Sequence, residues 1–107
     1  MTEFRKLVRD KIPHVITADG KTPIVEVLTR EQLRPALLAK LVEEASEAAA
    51  ASEQELPKEL ADVLEVVRAL ARDLGLPMAE IAHLADEKRE RHGGFDEGLF
   101  LVRTEPA

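Results

Sequence analysis

The sequence predicts a mainly α-helical bundle, and three observations carry that prediction. The apolar residues are chiefly Leu, Val and Ala, with 3 Phe, no Trp and no Tyr, a composition that favours helix packing over a sandwich or an aromatic-lined barrel. Several stretches repeat apolar residues at helical spacing, between capping signals. The run 48–51 is all alanine, which favours helix and close helix–helix approach. The length of 107 residues fits one domain over 1–107.

The elements follow in order from these signals. Residues 4–18 predict a short basic helix that is interrupted or ended near Pro13. The capping box Thr29-Arg-Glu-Gln32 predicts a long helix from there to about Ser52.

Two further helices complete the expected bundle. A second capping box, Ser52-Glu-Gln-Glu55, predicts a helix over about 55–74, which Gly75 would cap. Pro77 is expected to start a fourth helix that runs to about His92. The segments 24–28 and 98–103 are expected to pair as a short two-stranded β element.

Charge and composition limit the function classes. The net charge of −6 argues against a broad nucleic-acid-binding surface, although a small phosphate ligand remains compatible if a metal ion mediates. There is no cysteine, so thiolate ligands and disulfides are excluded. No segment approaches the length of a membrane span, and the opening MTEFRKLVRDK lacks a signal-peptide apolar run. We therefore expect a cytoplasmic protein without a membrane partner.

A pair of acidic motifs, Glu44-x-x-Glu47 and Glu59-x-x-Asp62, is the strongest chemical signal. Residues three apart share a helix face, so each motif projects two carboxylates in one direction. On helical wheels Glu44 falls inside the apolar stripe of its helix and Glu47 at its edge. Glu59 falls within the next helix's stripe, and Asp62 borders it. Burying a lone carboxylate costs several kcal/mol unless it is protonated, paired or bound to a cation.

Two kinds of cation could compensate these carboxylates. One interpretation is a set of buried ion pairs with Lys40 or with basic residues of the fourth helix. The other is a divalent ion, and ligands that are all oxygen select Mg²⁺ or Mn²⁺. A di-iron bundle is excluded because neither motif contains histidine.

The fourth helix and the second face of the long helix add two expectations. Lys88 and Arg89 continue the apolar stripe of the fourth helix. They could bind an anionic ligand, or they could only stabilise the negative carboxyl end of the helix. A second apolar stripe on the long helix predicts a homodimer or a higher assembly, because one small subunit would struggle to cover both faces. This stripe comprises Leu38, Val42, Ala45 and Ala49.

Four segments taken in order resemble the MazG-type, all-α nucleoside triphosphate pyrophosphohydrolase superfamily. Two of them contain the acidic motifs, Lys40-Leu-Val-Glu-Glu-Ala-Ser-Glu47 and Glu59-Leu-Ala-Asp-Val-Leu-Glu65. The other two resemble a small subgroup labelled phosphoribosyl-ATP pyrophosphohydrolase-like: Lys6-Leu-Val-Arg-Asp-Lys-Ile-Pro13 and Glu87-Lys-Arg-Glu-Arg-His-Gly-Gly-Phe95.

The resemblance implies a house-cleaning type of hydrolase, a helical bundle of dimers or tetramers that cuts a nucleoside triphosphate to monophosphate and pyrophosphate. It implies Mg²⁺, with Mn²⁺ as a substitute, held by Glu44, Glu47, Glu59 and Asp62. Glu44 or Glu47 would act on the attacking water. The implied substrate-binding residues are Arg9, Lys11, Lys88 and Arg91.

Two alternatives to this function stay open. One is phosphoribosyl-ATP pyrophosphohydrolase activity in histidine synthesis. The other is a non-catalytic helical binding module, whose stability would not respond to Mg²⁺.

Overall fold

The computed structural model describes residues 3–107, and its regular structure is entirely helical in that range. Four helices follow in order: α1 (Ile12–Ala18), α2 (Arg30–Ala50), α3 (Leu56–Asp73) and α4 (Met78–His92). The mainly α prediction is therefore confirmed. None of the described helices is long and apolar enough to cross a membrane.

The capping signals set the helix boundaries closely. The Thr29 hydroxyl accepts a hydrogen bond from the Gln32 amide at 3.3 Å, and the Gln32 side chain accepts one from the Thr29 amide at 3.0 Å. This reciprocal pair satisfies two amides that the helix itself leaves without partners. Before α3, the Ser52 hydroxyl accepts from the Glu55 amide at 3.3 Å. After α3, Gly75 takes a φ of 71°, a left-handed conformation that glycine adopts without a Cβ clash.

The amino-terminal helix differs from the prediction over 4–18. It begins only at Ile12, with Pro13 in its first turn, and residues 4–9 have no helical structure. Proline lacks an amide hydrogen and has a helix-compatible φ, so it is tolerated where the first amides have no helical partner. Pro13 therefore lies at the start of the helix rather than at its end.

The predicted β element is wrong. Neither 24–28 nor 98–103 forms a strand in the described chain. Ile24, Val27, Leu99 and Phe100 are all highly exposed. β-branched composition favours a strand only when another strand supplies hydrogen bonds and a face to pack on.

The chain divides into two compact units, the first ending at Gly75 and the second beginning at Leu76. In the first unit α2 packs along α3. Arg34 near the start of α2 contacts Asp73 at the end of α3, and Glu44 further along α2 lies by Asp62 near the start of α3. The two helices are therefore antiparallel, and their core contains Leu37, Val66 and Ala71.

The apolar stripes expected on α2 and α4 are buried to different extents. On α2 the first stripe is covered at Leu37 and Glu44, as predicted, whereas all four residues of the second stripe are exposed in the single chain. On α4, Met78 and Ile81 are half-buried, whereas Ala82, Ala85 and Lys88 are exposed, so the stripe that was expected to be buried is covered only in part in the described chain. The homo-oligomer and the single domain over 1–107 stay predictions.

Candidate metal and phosphate site

Three carboxylates of the acidic motifs come together between α2 and α3. One oxygen from each of Glu44, Glu59 and Asp62 can be chosen so that all three lie within 4.8 Å of one another. The helix spacing places Glu59 and Asp62 on one face of α3, and the antiparallel packing aims that face at Glu44. Three of the four carboxylates of the two motifs therefore lie together, and the fourth, Glu47, is outside this group.

Glu44 is the most deeply placed member of this carboxylate cluster. Only 8% of the residue is exposed, and it is buried beside apolar neighbours of the helix interface. Its Oε1 lies 3.3 Å from the Lys40 ammonium, which is itself 17% exposed. The predicted alternative of an ion pair with Lys40 is therefore observed for one oxygen of Glu44.

Two buried oxygens of the cluster have no such compensation. Glu44 Oε2 and Glu59 Oε2 are shielded from solvent and have no hydrogen-bond partner among the described residues. A buried acceptor without a partner carries the cost of its lost hydration, and a charged one more so. Lys40 alone therefore does not compensate the cluster, which needs further positive charge or hydrogen-bond donors.

Glu47 lies beside this cluster rather than in its three-residue group, and its side chain is exposed. The adjacent Glu44 carboxyl, first through its short-range polar contact with Glu47 and then through its negative charge, raises the pKa of Glu47 above its ordinary value. Partial desolvation and the charges of Glu59 and Glu43 act in the same direction.

The raised pKa of Glu47 predicts a pH-dependent stability. The folded state binds this proton more tightly than the unfolded chain, so the contribution is complete below the ordinary carboxyl pKa of about 4.3 and is lost as pH rises through the folded value. We expect Glu47→Gln to raise the melting temperature near neutral pH in EDTA, with the gain vanishing towards about pH 4. Thermal melts over that range, with Glu55→Gln as control, test it. A gain of equal size at every pH would contradict it.

A cavity of about 650 Å³ opens next to the carboxylate cluster. Segment 7–11, α2 and α3 line it, and both Glu44 and Asp62 contribute to its wall. Acidic, basic and apolar side chains share the rest of the lining. The further acidic ones are Asp10, Glu65 and Asp73. The basic ones are Arg9, Lys11, Arg30, Lys40 and Arg72. The apolar ones are Leu7, Val8, Leu33, Leu37, Val66 and Ala69.

The predicted phosphate-binding residues fall in two places. Arg9 and Lys11 are exposed residues of the cavity wall. Arg9 Nη2 donates a hydrogen bond of 2.7 Å to Asp62 Oδ1. Lys88 and Arg91 lie on α4 in the second unit, where both are exposed. The role of all four residues in substrate binding stays a prediction.

One interaction of this region was not anticipated from the sequence. Arg34 Nε donates to Asp73 Oδ2 at 2.7 Å, and the Asp73 side chain is only 6% exposed. An acidic residue in the last turn of a helix is unfavourable to the macrodipole. That anomaly is the sequence signal that Asp73 has a specific basic partner.

No family model matches the chain, and no solved structure matches it significantly. A protein of Mycolicibacterium smegmatis described as uncharacterized is 48% identical over 46 residues, which are 43% of this chain and 47% of that protein. The match thus spans about half the length of the relative.

Proposed function

We propose that the chain is a divalent-metal-dependent hydrolase that cleaves a nucleoside triphosphate between its α- and β-phosphates. The observation that carries the proposal is the pair of buried, partnerless oxygens, Glu44 Oε2 and Glu59 Oε2, within the carboxylate cluster beside a cavity lined by basic, acidic and apolar residues. The resemblance to MazG-type pyrophosphohydrolases supports the same chemistry.

The donor set fits a hard cation. All the candidate ligand atoms are carboxylate oxygens, which suit Mg²⁺ or Mn²⁺ and not a soft metal. Glu44, Glu59 and Asp62 would hold it, and Glu47 would stand at its side. When bound, such an ion neutralises phosphate charge and acidifies water.

The residues of this chain then have distinct roles in the reaction. A water oxygen forms a bond to the α-phosphorus, the bond from that phosphorus to the bridging oxygen breaks, and pyrophosphate leaves. Glu47, whose pKa is raised, accepts the proton that the water loses. Lys11 and Arg30 on the cavity wall attract the phosphate chain and stabilise the charge that develops on pyrophosphate. For Lys88 and Arg91, a substrate-binding role is supported by the resemblance alone.

The cavity walls also restrict what can bind. Apolar side chains such as Leu33 and Ala69 offer a surface for a flat or apolar moiety next to the phosphate-binding part. A nucleotide, which joins a base to a charged phosphate chain, has that mixed character.

Pyrophosphate release tests the proposal. A panel of common, deoxy and modified nucleoside triphosphates, with phosphoribosyl-ATP included, should yield pyrophosphate and the monophosphate in Mg²⁺ or Mn²⁺ and none in EDTA. Mg²⁺ at about 100 times its dissociation constant should stabilise the fold by about 2.7 kcal/mol, which corresponds to about 10–20 °C in melting temperature.

A potassium salt at matched ionic strength is the control for screening. If no nucleotide is cut and Mg²⁺ leaves the melting temperature at the potassium value, the hydrolase proposal is wrong. A non-catalytic helical module then explains the chain better.

A further inference from the structure

Arg9 forms an ion pair with one of the carboxylates that would bind the metal ion. Its Nη2 donates a hydrogen bond of 2.7 Å to Asp62 Oδ1, although the two residues are 53 positions apart in the sequence. Both residues line the cavity described above. Asp62 is also one of the three residues of the carboxylate cluster. The same carboxylate is therefore shared between an arginine and the place where a cation would bind.

The Arg9–Asp62 ion pair is partly exposed to solvent, so the guanidinium can leave Asp62 for another partner. Side-chain exposure is 58% for Arg9 and 39% for Asp62. Ion pairs of that exposure are weak, because water competes for both charges. A divalent cation on the cluster would neutralise the charge of Asp62 that holds Arg9.

We propose that Arg9 is an exchangeable counter-ion. It occupies Asp62 in the metal-free protein and transfers to a phosphate of the nucleotide when the carboxylate cluster binds a divalent cation. This inference rests on the proposed function and names a residue that couples metal binding to substrate binding. Arginine suits the exchange because its planar fork of five N–H donors matches phosphate as well as carboxylate.

The segment that contains Arg9 supports the exchange. Residues 7–11 already form part of the cavity wall, so Arg9 can change partners without leaving the cavity. Leu7 and Val8 of the segment are half-buried, and the neighbouring Lys6 lies 3.8 Å from Glu43 of α2, so the segment has contacts that do not involve Asp62. Loss of the Arg9–Asp62 contact therefore leaves a second link to the helix pair.

The exchange predicts effects of opposite sign on two ligands. Arg9 competes with metal for Asp62, so removing its charge should tighten metal binding when no nucleotide is present. It binds phosphate once metal is bound, so the same change should weaken nucleotide binding. A residue that only supports the fold would weaken both.

The test uses Mn²⁺ as the metal probe and an α,β-methylene nucleoside triphosphate, which resists cleavage, as the nucleotide probe. By titration calorimetry on the full chain, Arg9→Met should bind Mn²⁺ about threefold to fivefold more tightly than the natural sequence. With Mn²⁺ saturating, the analogue should bind about tenfold more weakly. Arg103→Met, an exposed arginine paired with Glu105, is the matched control and should change neither value.

A second variant guards against misfolding. Arg9→Lys keeps the charge but loses the fork, so Mn²⁺ affinity should stay near the natural value while analogue affinity falls. Mn²⁺ binding by the natural chain with unchanged or weaker binding by Arg9→Met overturns the exchange and leaves the hydrolase proposal intact. Absence of Mn²⁺ binding by the natural chain overturns both.

Discussion

Glu44→Gln should lower the rate of pyrophosphate release by about a hundredfold or more while leaving the fold intact. Glu44 is the buried member of the carboxylate cluster and carries one of its two partnerless oxygens. The amide removes a negative charge and replaces one acceptor oxygen by a donor, which a cation cannot use. The stabilisation by Mg²⁺ in thermal melts should be lost together with the activity.

The same substitution should not destabilise the metal-free protein. It relieves repulsion with Glu59 and Asp62, and Lys40 keeps Glu43 as a partner at 3.4 Å. Equal or higher melting temperature in EDTA would therefore separate a lost function from a lost fold. Glu55→Gln, one turn before Glu59 and paired with exposed Lys58, is the control and should behave as the natural sequence does. Full activity in Glu44→Gln would refute the assigned site.

Arg34→Met should destabilise the fold by about 2–3 kcal/mol, or about 10–20 °C in melting temperature. Asp73 is almost fully buried, and Arg34 donates to it at 2.7 Å between the start of α2 and the end of α3. Without the guanidinium, Asp73 would be a buried carboxylate at the negative end of a helix. Urea or thermal unfolding in EDTA measures the loss.

A double variant shows whether the cost comes from the stranded carboxylate. Arg34→Met with Asp73→Leu removes both charges and should recover most of the lost stability, since a buried ion pair contributes little compared with a packed apolar pair. Arg68→Met, which loses only a longer contact of 4.0 Å to Glu65, is the matched control and should be nearly neutral. If the double variant is no more stable than Arg34→Met, the stranded-charge explanation is wrong.

Local signals predicted most of the helices. The Thr29–Gln32 capping box, Pro77 and Gly75 act over one helical turn, so the residues that decide those boundaries are adjacent in the chain. Pro13 was ambiguous because proline is compatible with a helix start and incompatible with a helix interior. The strand prediction for 24–28 is wrong because a strand depends on a partner strand, which the residues of the segment do not specify.

The candidate site was predicted in part for the same reason. Helical periodicity fixes which residues share a face, so Glu44 and Glu59 could be assigned to apolar stripes before any contact was known. It does not fix which basic residue reaches which acid. The pairing of Arg9 with Asp62 spans 53 residues, and that of Arg34 with Asp73 spans 39.

By itself the sequence determined a mainly helical chain and the two helices that carry paired carboxylates, because capping and the helical repeat are local properties. Only the tertiary structure decided that Glu44, Glu59 and Asp62 meet, that Glu47 stands beside them, and that Lys40 and Arg9 each hold one of the acids. Those facts depend on the register of α2 against α3 and on the path of segment 7–11. Packing of distant surfaces sets both, and no single helix encodes it.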